Sequence, residues 1–112
     1  MAEFILIIKG GLTDYSDAAK TAAHMQEWYT YGGLIQQQAK ILGGAGLTFE
    51  GRVVGNAGTQ AYAPHGPETL TGYYHLEAPD LATVEALAAQ APNIGLGGTV
   101  EVRLPLAMPQ TS

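Results

Sequence analysis

With no cysteine in the chain, thiolate chemistry is excluded, and the three histidines with the aromatic residues near them are the first candidates for a site. His24 is followed at three and four residues by Glu27 and Trp28, a spacing that puts all three on one face of a helix. An imidazole so placed suits general-base work at neutral pH, and Glu27 is its nearest acid. The plain alternative is a half-buried histidine packing on Trp28. His65 lies between Pro64 and Gly66-Pro67, which hold it in a rigid loop, the second candidate for a base. His75 alternates with Tyr74 and Leu76 and shares a strand face with Tyr73; it faces either a cavity or a hydrogen-bonded core. The catalytic candidates are therefore His24, His65 and Tyr74, with Trp28, Glu68, Tyr73 and His75 as ligand contacts. Tyr74 or Glu68 would donate or orient a proton. The reaction they fit is proton abstraction and elimination on a small carbonyl or phenolic compound.

Other chemistries lack their residues. There is no His-x-His, no His-x-x-x-His and no paired carboxylate motif, so no metal site and no cofactor is expected. Gly43-Gly44-Ala45-Gly46 is followed by neither Lys-Ser nor Lys-Thr and opens no helix, which reads as bends and close packing, not a phosphate loop.

These residues need elements to position them. Ala2 to Lys9 reads as a buried first strand. Ser16 to about Gln38 reads as a long helix with Ser16 as N-cap and an apolar stripe at Ala22, Met25, Trp28 or Tyr29, Gly32 and Ile35. Gly32-Gly33 costs such a helix about 1 kcal/mol per glycine, so a close backbone contact is expected there, with a kink or an early helix end as the alternative. Ile41 to Leu47 reads as an edge strand with a glycine bend. Gly51 to Val54 and Thr59 to Ala63 read as a hairpin across Gly55-Asn56-Ala57-Gly58, and Pro64 to Pro67 as a loop. Gly72 to Ala78 is a strand, Asp80 to about Ala89 a second helix announced by Pro79 and Asp80, and Gly98 to Arg103 a last strand. The order is an α+β class, a ferredoxin-like β-α-β-β-α-β sandwich. A sheet with both helices on one face leaves the other bare, so a homodimer is expected, closing a dimeric α/β barrel.

Length and charge fit this picture. The 112 residues make one domain spanning 1–112, with 46% hydrophobic and 13% charged residues, which argues against disorder. A net charge of -5 with only five Lys and Arg disfavours nucleic acid and anionic membranes. Glu3 stands where a signal peptide needs positive charge, and the apolar run after it is too short to span a membrane. With no cysteine, a cytoplasmic location is the expectation.

Glu3-Phe4-Ile5-Leu6-Ile7-Ile8, Trp28, Ile41-Leu42-Gly43-Gly44, His65-Gly66-Pro67, Gly72-Tyr73-Tyr74 through Ala78-Pro79-Asp80-Leu81, and Gly98 to Arg103 together resemble the YCII-related or DGPF-domain family. The resemblance implies a ferredoxin-like fold, a dimeric α/β barrel, a bacterial origin and a largely uncharacterised biochemistry. Some such relatives are lyase-like, built on a His and Asp pair; others are sigma-factor accessories. His24 falls where the His of such relatives does. Lys9-Gly10-Gly11 stands where the family tends to place an Asp, and His65-Gly66-Pro67-Glu68 replaces Asp-Gly-Pro-Phe. Two readings follow: a small-molecule-binding protein or lyase-like enzyme with a His base, or a non-catalytic accessory domain that binds a protein partner.

Overall fold

Alternating apolar residues dictate the central strand. In a computed structural model, which describes residues 1–106, β1 (Ala2–Lys9) buries Phe4, Leu6 and Ile8 on one face and leaves Ile5 and Ile7 half-buried on the other. It pairs antiparallel with β5 (Leu70–Ala78) on one side and β6 (Thr99–Arg103) on the other. β2 (Lys40–Gly46) pairs with β5, giving a four-stranded antiparallel sheet in the order β2-β5-β1-β6. This is an α+β architecture compatible with the ferredoxin-like pattern.

Both helices lie on the Phe4-Leu6-Ile8 face. α1 (Ala18–Gln36) contributes Tyr31 and Ile35 to the core, and α2 (Leu81–Ala88) contributes Val84 and Ala88. The cap of α1 is Asp17, whose carboxylate accepts from the backbone N–H groups of Ala19 and Lys20; Ser16 stands one residue outside. Asp80 caps α2 by accepting from the Thr83 N–H at 2.8 Å and its hydroxyl at 2.7 Å.

The buried stripe of α1 differs from the sequence expectation. His24, Trp28, Tyr31 and Ile35 face inward, while Met25 and Tyr29 are 59% and 84% exposed. Four alanines crowd the first six residues of α1 and add little to its apolar pattern, and the buried position that would have fixed the phase is a histidine. The close contact expected at Gly32-Gly33 is also absent, since a Cβ at either would meet nothing within 4 Å among the described residues.

β3 (Arg52–Gly55) and β4 (Gly58–Ala61) form the expected hairpin, turning at Asn56-Ala57, and every residue of both strands is exposed. β2 carries the expected irregularity, a register shift between Ile41 and Gly43. The end of β1 is tied down by fully buried Asn93, whose amide donates to Lys9 O at 2.8 Å and Thr99 O at 2.9 Å. Beyond it Gly10 and Gly11 take φ values of 68° and 90°, left-handed geometry that turns the chain sharply toward α1.

Candidate functional site

Between α1 and the β2-β5 half of the sheet lies a cleft of about 690 Å³. β1 and β5 supply Ile8, Gly72 and Tyr74, β2 supplies Gly44 to Gly46, and α1 supplies Thr21, His24, Met25 and Trp28. The space exists partly because residues are small. Gly44 permits the close pass of β2 over β5, where a Cβ would lie 2.6 Å from Tyr73 O. The segment from Gly10 to Tyr15 closes one end, held by the Thr71 hydroxyl donating to Gly10 O at 3.0 Å. Tyr15 stacks on Phe49 with ring centroids 5.2 Å apart. Among the described residues no Asp, Glu, Lys or Arg lines this cleft, although the chain as a whole carries fifteen such residues.

His24 is the one titratable nitrogen base in that lining, and it is only 8% exposed. The Trp28 indole N–H donates to its Nε2 at 2.9 Å, one helical turn on. Its Nδ1 lies 4.0 Å from Glu27 Oε2, too far for a hydrogen bond, and Glu27 is itself largely exposed. The local acid anticipated from spacing is therefore nearby without being engaged. Trp28 packs edge-on against Tyr31, and both rings lie beside Tyr74. The Tyr31 hydroxyl donates to Leu87 O at 2.7 Å, which anchors this aromatic cluster to α2. The Tyr74 hydroxyl makes no hydrogen bond among the described residues, and burial pushes its pKa above the ordinary value, keeping it a donor at neutral pH.

The remaining sequence candidates lie elsewhere. Tyr73 borders the cleft, but its register with Ile7 and Ala45 sets it on the opposite sheet face. His75 is on that face too, with Nε2 2.7 Å from Glu3 Oε1. His65 is exposed in its loop, where its N–H donates to the Thr69 hydroxyl at 2.7 Å and its ring lies edge-on to Tyr62. It is not among the residues lining the cleft. Glu68 is exposed and reaches Lys9 Nζ at 3.5 Å; Lys9 also pairs with Glu101. Among the described residues, no three His, Asp or Glu side chains converge in a way that could hold a metal ion. Nor is any described helix long and apolar enough to cross a membrane.

Sequence reasoning missed Leu12, Tyr15, Thr21, Met25, Leu47 and Thr71, which complete the cleft. Only fold topology brings them together. It also read the His24 and Trp28 spacing as packing, whereas the same four-residue interval permits the hydrogen bond observed. Neither family models nor curated proteins match the chain.

Proposed function

We propose that this protein binds a small, uncharged, largely apolar organic molecule in the cleft between α1 and the β2-β5 edge. The observation that carries the reading is the uncharged lining: apolar and aromatic walls with a few hydroxyls and one imidazole. A charged ligand would lose its hydration there without a counter-charge, at a cost of several kcal/mol. A cavity of about 690 Å³ lies within the range of small-molecule sites. Trp28 and Tyr74 supply flat surface for an aromatic ring, and the Tyr74 hydroxyl and His24 supply polar contacts.

A lyase-like elimination with His24 as general base, the chemistry that the YCII resemblance implies, is the catalytic extension of this reading. Against it stands the cleft's lack of a carboxylate to pair with the imidazole, and the Trp28 N–H that already occupies Nε2. Binding is therefore the better-supported half of the proposal.

The finer assembly belongs to the same reading. The open sheet face carries Ile5, Ile7 and Tyr73 beside Glu3, His75 and Glu101, and a second copy packed there would form the dimeric α/β barrel. The radius of gyration, 15.6 Å, exceeds the roughly 13 Å of a compact domain of this length, and the molecule is 20 Å across its thinnest axis. A flat molecule with one open sheet face is the shape that a second copy on that face would complete. Light scattering should give twice the 11.7 kDa chain mass; a monomer at micromolar concentration removes this part alone.

The binding reading is tested by thermal denaturation with uncharged aromatic ketones and phenols against aromatic carboxylates. Ligand at a hundred times its Kd stabilises by about 2.7 kcal/mol, enough to raise Tm by several degrees. Stabilisation by the uncharged set alone is expected. Stabilisation only by carboxylates, or by nothing, contradicts it.

A further inference from the structure

A neutral imidazole has one nitrogen that donates and one that accepts, and a neighbouring donor decides which is which. Here the neighbour is the Trp28 indole, which can only donate and sits 2.9 Å from His24 Nε2. The contact is over-determined. Both residues are on α1 at an interval of four, the Trp28 ring is wedged against Tyr31 and Tyr74, and Gly11 crosses close to Nε2. Nε2 is thereby committed as an acceptor, and the ring proton belongs on Nδ1. Nδ1 has no hydrogen-bond partner among the described residues, the exposed Glu27 carboxylate standing off at 4.0 Å, and the His24 side chain lines the cleft.

We propose that Trp28 is a positioning residue that locks His24 in the Nδ1–H tautomer, so that His24 serves the cleft as a hydrogen-bond donor and selects ligands bearing an acceptor oxygen. This rests on the cleft being a ligand site and narrows its occupant to uncharged aromatic carbonyl or ether compounds. It also changes the role read from the sequence: with Nε2 held by the indole, the imidazole presents a proton to the ligand instead of taking one.

The tautomer is measurable without any ligand. In the ¹⁵N-labelled protein at mildly alkaline pH, long-range proton–nitrogen correlation should show His24 with Nδ1 protonated and Nε2 bare. Trp28→Phe should move it toward the Nε2–H form. A His24 that is Nε2–H in the unmodified protein, or that ignores Trp28→Phe, overturns the lock. The donor role is read with two probes of nearly equal shape, acetophenone and α-methylstyrene, which differ by a carbonyl oxygen in place of a methylene group. Acetophenone should bind about three- to tenfold more tightly, and His24→Ala should erase that preference. Equal binding of the two probes overturns the donor role while leaving the cleft a ligand site. Binding of neither defeats the ligand reading and the donor role together, with the tautomer lock judged by its own spectrum.

Discussion

The two sides of one strand pair treat a histidine in opposite ways. On the helix side His24 is buried in an uncharged cleft and receives an N–H from Trp28. On the open side His75 Nε2 lies 2.7 Å from Glu3 Oε1, on the face where Glu101 pairs with Lys9 and Arg103. A carboxylate asks imidazole for a proton; an indole offers one. The partner, more than the histidine, therefore assigns the role: helical spacing sets it for His24 and strand register for His75.

The largest effect that would break this comparison is on β5, where neighbours point to opposite faces. Leu76→Ala should destabilise by about 2–5 kcal/mol, because Leu76 is fully buried between the sheet and the helices. His75→Ala, one residue earlier, should cost no more than about 1 kcal/mol, the worth of a half-exposed pair. Chemical denaturation of both variants checks this. A further His75→Ala loss that grows on dilution would support a second copy packed on this face.

A smaller effect separates the aromatic cluster from the surface. Burial pushes Tyr31 and Tyr74 up from the ordinary value of 10.0. Above that pH the unfolded chain releases these protons while the folded chain keeps them, so stability should be level below pH 10 and fall as pH rises past it. Tyr31→Phe should cost about 1 kcal/mol at neutral pH by losing its bond to Leu87 O, and should flatten the alkaline decline. Urea midpoints across alkaline pH would show both.

The smallest effect sits on the exposed face of α1. Gly33→Ala should stabilise by about 0.5–1 kcal/mol, since the added methyl meets nothing and alanine is the better helix former. Destabilisation, read from Tm, would mean that this face is covered in solution.

The strands and both helices were legible because alternation in Phe4 to Ile8 and the signals at Asp80 and Asn56 are local. The phase of α1 was not. Its apolar residues are spread around the helix, and a polar histidine occupies the core position next to Met25, where the expected stripe ran. For the site, His24, Trp28 and Tyr74 could be picked out as chemistry-bearing residues, and they do border one cleft. What composes the rest, from Tyr15 to Thr71, depends on β2 crossing to the far side of β5. No local spacing encodes that.

The central claim is that this cleft takes an uncharged organic molecule, and the chain supplies its own reporter, because Trp28 is its one tryptophan and lines the cleft. Titration with acetophenone should change Trp28 fluorescence saturably, benzoate at the same concentrations should not, and Gly46→Leu should abolish the change. Gly46 lines the cleft where an added Cβ meets nothing within 4 Å, so leucine there fills the space without straining the sheet. A saturable response to benzoate alone, or a response to acetophenone that survives Gly46→Leu in a folded protein, would contradict the account.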